Sequence, residues 1–282
     1  MNRLTTARER SMRGSGLQRA LRIGAILFIV AALLVWLLFG EPGVFGRFNT
    51  LGFAFCHQLP TRTPSFGGVA CPLCYRCSGL FLGIAVGFSL FRRRAVSFRS
   101  LLGPVPMIGA VSAIGFYAFD GMKNLNRSAL LSDLYPDRPI IRCLSGFGLG
   151  VWVGWILTLM LREFTEPGRF SAGRRIRWRD LLIALCLSIA GVYLLVNADP
   201  RWIPIQRAFG LTLGLVPVAA TGALFFVLLS AMDRLIRFAR EPLPVWDRVL
   251  GAAALTALFV GSMIVFRYQV AGGWIREISA FR

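Results

Sequence analysis

Acidic residues are scarce in this chain, histidine is nearly absent, and charge of either sign is thin. Of 282 residues, 13 are Asp or Glu, one is His, and 16% are charged in all, where a globular domain carries about 25%. The missing charge excludes a soluble fold for most of the chain. No phosphate-cradling glycine loop, Walker motif or zinc-protease helix motif is present. No long repeat or low-complexity segment appears. The C-terminal half has no ionisable residue deep in an apolar run except Arg267. Ion-coupled transporters keep buried carboxylates near the membrane midplane, so this shortage argues against a transporter.

What is present is apolar. Hydrophobic residues make up 56% of the chain and the mean hydropathy is +0.63. They fall in runs long enough to cross a bilayer as helices, which takes about 20 residues. The spacing predicts an all-α, polytopic bundle of about seven spans, near 22–40, 75–91, 101–119, 140–161, 181–197, 206–231 and 248–270. Segment 41–55 reads as a partly inserted or interfacial helix that can shift the count by one. The organisation expected is a basic leader over 1–22, a four-span region over 23–161, a basic loop over 162–180 and a three-span region over 181–282.

The net charge of +19 does not point to nucleic acid, because the arginines cluster in short loops and no aromatic-interleaved basic surface accompanies them. The basic segments are the leader (Arg8, Arg10, Arg13, Arg19, Arg22), Arg92 to Arg94 with Arg99, the 162–180 loop and the 233–248 loop. They occur at every second connection, as the positive-inside rule requires. The expected localisation is the cytoplasmic membrane, with the N-terminus in the cytoplasm. The loops 41–74, 120–139 and 198–205 would then lie outside. The lipid bilayer is the one partner implied; nothing singles out a protein partner. The first run ends in Trp36-Leu37-Leu38-Phe39-Gly40 rather than a small-residue cleavage site, so it reads as a retained helix.

Two runs contain glycines every fourth residue: Gly79, Gly83 and Gly87, then Gly146, Gly150 and Gly154. That spacing places each set on one helix face, where a neighbouring helix can approach closely. The two ladders can meet each other as a parallel pair, or each can meet a different helix.

Chemistry concentrates in one loop. Cys56-His57-Gln58 and Cys71-Pro72-Leu73-Cys74-Tyr75-Arg76-Cys77 hold four of the six cysteines and the lone histidine within 22 residues. Three readings stand. In the first, Cys74 and Cys77 supply two soft ligands, Cys56 or His57 closes the shell, and Cys71 offers a further thiolate. Zinc or iron is the ion expected. The triple spacing also suits iron–sulfur ligation, although the Cys-Pro of ferredoxin-type runs is missing. In the second, an outward loop in an oxidising compartment hosts a thiol–disulfide oxidoreductase passing electrons to quinone, with Cys74 and Cys77 activated by a helix N-terminus and Arg76, and Cys56 and Cys71 as the partner pair. In the third, disulfides or a zinc staple only hold the loop. Cys186, mid-helix, reads as a small hydrophobe. No catalytic set is legible, so whether the chain is an enzyme stays open. Asp120-Gly121 and Arg142-Cys143 sit at the same face of the membrane. There a carboxylate and a guanidinium can pair above the site, or anchor helix ends.

These residues resemble an uncharacterised family of bacterial and archaeal predicted membrane proteins, a domain of unknown function. Its pattern is Cys-His-Gln-x-Pro-x-Arg-Ser-Phe, then Pro-x-Cys-x-Arg-Cys-Thr-Gly, an Asp-Gly ending the next helix, and Arg-x-x-x-Gly-x-x-x-Gly. Cys56, His57, Gln58, Pro60 and Arg62 fit the first element, with Thr63-Pro64-Ser65-Phe66 looser. Pro72, Cys74, Arg76, Cys77, Ser78, Gly79 and Gly83 fit the second, Asp120 and Gly121 the third, and Arg142, Gly146 and Gly150 the fourth. Cys71 lies outside the pattern, which counts against a required iron–sulfur triple. The resemblance covers about residues 45–160. It implies a membrane helical fold and no particular reaction.

Overall fold

The computed structural model describes residues 2–92, 104–125, 138–165, 178–197, 199–236 and 243–280. Arg93, Arg94, Arg99, Arg169, Arg174, Arg175, Arg177, Arg237 and Arg240 of the basic loops lie outside the described residues, as does the start of the third expected span. Among the described residues the chain forms eight α-helices and one small hairpin. The helices are α1 (Asn2–Phe39), α2 (Gly43–Phe53), α3 (Tyr75–Arg92), α4 (Pro104–Leu125), α5 (Pro139–Thr165), α6 (Trp178–Val196), α7 (Ile203–Ile236) and α8 (Val245–Ala280). Strands β1 (Ser65–Phe66) and β2 (Val69–Ala70) form the hairpin.

Four stretches are long and apolar enough to cross a membrane: Gln18–Phe39, Pro139–Thr165, Pro200–Leu235 and Val245–Gln269. Three more apolar helices are shorter, over Tyr75–Phe91, Met107–Met122 and Leu182–Val196. The 18 residues of α3 rise about 27 Å at 1.5 Å each, just under a hydrocarbon core of about 30 Å. The chain is an all-α membrane protein. Its outward faces agree, with Leu27, Leu34, Leu38, Phe39, Ile108 and Phe266 among many large apolar side chains left exposed.

Segment 41–55 is helical over Gly43–Phe53: α2 follows α1 after a short break at Gly40, Glu41 and Pro42. Pro42 is the cap of α2, in an extended conformation with φ −63° and ψ 145°, and it carries no amide donor to leave unpaired there.

The two glycine ladders meet each other. A Cβ on Gly79 would fall 2.0 Å from the Cys143 carbonyl oxygen, one on Gly83 2.4 Å from that of Phe147, and one on Gly87 2.4 Å from that of Val151. In return, Gly146 faces the Arg76 carbonyl at 2.1 Å, Gly150 that of Leu80 at 2.0 Å, and Gly154 that of Ile84 at 2.4 Å. The contacts climb both helices together, so α3 and α5 run parallel. Only backbone without Cβ fits at such distances. This pair is the centre of the molecule: α6 and α7 pack on both helices, α4 packs on α5, and α1 reaches the rest mainly through α8. Trp155 seals the far end of the pair, 1% exposed and stacked on Phe91 with ring centroids 4.6 Å apart.

Candidate metal centre

The cysteine loop leaves α2 and returns into α3. Gly52, in the last turn of α2, rests on the Pro72 carbonyl, where a Cβ would come within 2.1 Å of the oxygen. Gln58 turns the chain at φ 49°, a left-handed conformation unusual for a non-glycine residue. Its Nε2 donates to the Asn49 carbonyl at 2.8 Å and to the Pro72 carbonyl at 2.7 Å. One side chain thus ties the exit from α2 to the approach to α3. The hairpin turns on Gly67 and Gly68, at φ 60° and 78°, as a two-residue turn with both central residues left-handed requires. The Cys71 amide closes its base on the Pro64 carbonyl at 2.8 Å.

These ties bring Cys56, 18 residues upstream in sequence, onto Cys74. The Cys74 amide donates to Cys56 Sγ at 3.2 Å. Cys74 directly precedes α3, and its carbonyl accepts from the Ser78 amide at 2.8 Å. Cys77 stands one turn further on. The three sulfurs of Cys56, Cys74 and Cys77 lie within 4.8 Å of one another. Cys56 is buried at 1% exposure and the other two are half-buried.

His57 and Cys71 are placed apart from this trio. His57 is exposed. Cys71 is fully buried, its sulfur 3.3 Å from the position a Cβ would take on Gly210 of α7. Arg62 ends the short turn Pro60–Arg62. Cys143 is buried at the α3–α5 contact and Cys186 is exposed on α6.

Hydrogen bonding within the trio separates its protons. The Cys74 thiol is held far below its ordinary value of 9.0, first by the Cys56 thiol, then by the Cys77 thiol and by the Cys77 and Arg76 amides, against the opposing effect of burial. The Cys56 thiol is pushed up to about 11, foremost by its hydrogen bond with Cys74. Neighbouring donors therefore favour the thiolate form at Cys74. Burial alone is the main cause at Cys71, pushed up to about 11.

Arg76, between the two cysteines of the second element, stabilises the thiolate through its amide. Its guanidinium turns to α4. Arg76 Nε lies 3.7 Å from Asp120 Oδ2 and its guanidinium carbon 4.0 Å from the centroid of the Tyr117 ring. Ser145 of α5 donates from Oγ to the same Asp120 oxygen at 3.2 Å. Asp120, with its side chain 2% exposed, thus joins α3, α4 and α5 beside the cysteines. Arg142 is also buried, at 6% exposure.

Sequence reasoning did not single out Tyr117, Ser145 or the part played by α7. Arg207 donates to the carbonyls of Phe66 and Gly67 at 3.1 and 3.2 Å. Gly210 and Gly214 receive Phe66 with Cys71 and Phe48 with Pro72. Gly210 and Gly214 are four apart, the same signal that marked the other two ladders. Arg267 donates to the Phe53 carbonyl at 2.7 Å, so the one charge deep in the C-terminal runs caps the end of α2, where helix carbonyls attract a cation.

No curated protein and no solved structure matches the chain. The segment that builds the cysteine trio, the Asp120 junction and the glycine-ladder pair does match: residues 56–156 fit the model of a family described as "Predicted membrane protein (DUF2085)".

Proposed function

We propose that the loop between α2 and α3 is a metal-binding centre at the membrane boundary, facing out of the cytoplasm, with Cys56, Cys74 and Cys77 as its ligands. One observation carries the reading: three sulfurs from two separate chain segments converge within 4.8 Å. A zinc–sulfur bond of about 2.3 Å puts neighbouring sulfurs of a tetrahedral shell about 3.8 Å apart, so small side-chain adjustments suffice. The amide donor to Cys56 Sγ and the amides at Cys74 suit sulfurs that carry negative charge. Zinc and iron are the ions that the Cys-x-x-Cys spacing expects. Such an ion would supply either a structural cross-link or a Lewis-acid position.

A thiol–disulfide exchange reading rests on the thiolate at Cys74, since a low-pKa thiol beside a second thiol is what exchange needs. It also needs a partner pair, for which the sequence offers Cys56 and Cys71; Cys71 stands in the hairpin base against Gly210, outside the group that Cys56 forms with Cys74 and Cys77, which favours the metal. Elemental analysis of detergent-purified chain beside a thiol count decides between them. The metal reading expects about one equivalent of transition metal per chain, lost in Cys74→Ser and Cys77→Ser. Metal-free protein of native helicity, with thiols that open and close with redox state, would establish exchange instead.

A further inference from the structure

The identity of the donors narrows the ion, given the metal reading above. We propose that the centre is a three-coordinate, all-sulfur site for a soft monovalent ion of the Cu(I) class, rather than a closed four-coordinate zinc staple.

Among the described residues the group able to close on one ion is Cys56, Cys74 and Cys77. His57, Cys71 and Asp120, further candidate donors among the described residues, each have another place. His57 is exposed, between Cys56 and the chain turn fixed by Gln58 at φ 49° and by its two hydrogen bonds. Cys71 is packed in the hairpin base against Gly210. Asp120 accepts from Ser145 and pairs with Arg76.

Sulfur spacing does not discriminate. The same bond length in a trigonal plane gives edges of about 4.0 Å, against about 3.8 Å in a tetrahedron. Donor count and type do. A divalent zinc or iron ion with three thiolates takes a fourth donor, commonly imidazole or water. Among the described residues no imidazole nitrogen or carboxylate oxygen closes with the three sulfurs into one group within 4.8 Å. Soft thiolates suit Cu(I) as well as zinc and iron–sulfur clusters, and of these the monovalent ion is the one that three thiolates satisfy without a fourth donor.

The test uses the full chain, purified in detergent without oxygen. Cu(I) is delivered from a chromophoric chelator, Zn(II) and Co(II) are titrated in parallel, and the loaded wild-type protein is measured by X-ray absorption. The expected result is one Cu(I) per chain with three sulfur neighbours and no nitrogen. His57→Ala and Cys71→Ser should keep the affinity, whereas Cys56→Ser should lower it about 100-fold or more. A nitrogen or fourth-sulfur neighbour in the loaded wild type, or a loss of about tenfold in His57→Ala, overturns three-coordination while the metal centre stands. Protein that retains none of the three ions, with all thiols open to alkylation throughout, removes the metal centre itself. The wild-type spectrum decides the coordination number even where a variant fails to fold.

Discussion

Gln58 is the residue on which the loop turns. Its amide group donates to carbonyls on both sides of the centre, and truncation leaves two acceptors without their partner. At about 1 kcal/mol per hydrogen bond, Gln58→Ala should cost about 2 kcal/mol and loosen Cys56 from Cys74. Metal affinity measured by chelator competition should fall with it, and an unchanged affinity would remove Gln58 from the site. Asp120 is the second such position. Asp120→Asn keeps the shape but leaves the Arg76 guanidinium without its carboxylate. Breaking a buried pair from one side costs about 3–5 kcal/mol; Arg76 is 24% exposed, so about 2–3 kcal/mol is expected, read as a lower thermal midpoint in detergent. Cys71 gives a pH signature. Its folded value of about 11 stands above its ordinary 9.0, so between these pH values the unfolded chain loses the proton first. Stability is full below pH 9 and falls as pH rises towards 11, by about 3 kcal/mol. Thermal scans across that window should show a steeper decline for wild type than for Cys71→Ala.

Among the elements, the α3–α5 pair sets the rest in place. Its six glycines meet carbonyl and backbone atoms rather than flexible side-chain ends, so an added methyl cannot be relieved by a rotamer change. Gly150→Ala should cost about 3 kcal/mol as an overpacking change, and Gly150→Leu should separate the pair. Cys77 and Arg76 ride on α3, while Ser145 and Arg142 ride on α5. Separation should therefore also abolish metal retention at a distance of several turns. Gly24, with nothing within 4 Å of its would-be Cβ, is the matched control; a Gly24→Ala variant that loses as much would show the effect to be unspecific. The ladders were legible as close-contact faces because every fourth residue returns to one side of a helix. That they meet each other was not legible, because periodicity describes a face and says nothing of its partner.

For the whole molecule, orientation is the quantity to measure. Arg22 of α1 pairs with Asp247 of α8, so the leader end of the first helix and the start of the last lie together. The orientation proposed from the basic connections expects that end in the cytoplasm. Single-cysteine accessibility from the two sides of the membrane should then protect position 22 and expose position 57 to an impermeant thiol reagent. The reverse pattern would invert the topology and put the centre in a reducing compartment.

The sequence by itself determined that this is a helical membrane protein, because apolar run length and low charge leave a bilayer as the one solvent in which its surface is stable. It also located the chemistry, because cysteines gathered in one polar loop are unlike cysteines scattered as core packing. Tertiary structure decided which cysteines gather in the candidate site. Which of Cys56, His57, Cys71, Cys74 and Cys77 converge depends on a hairpin, on a left-handed turn at Gln58 and on α7 receiving the loop at Gly210 and Gly214. It likewise gave Asp120 its partners, Arg76 and Ser145, each from a different helix. Convergence in space of residues far apart in the chain is set by packing, and packing is what periodicity and spacing leave unspecified.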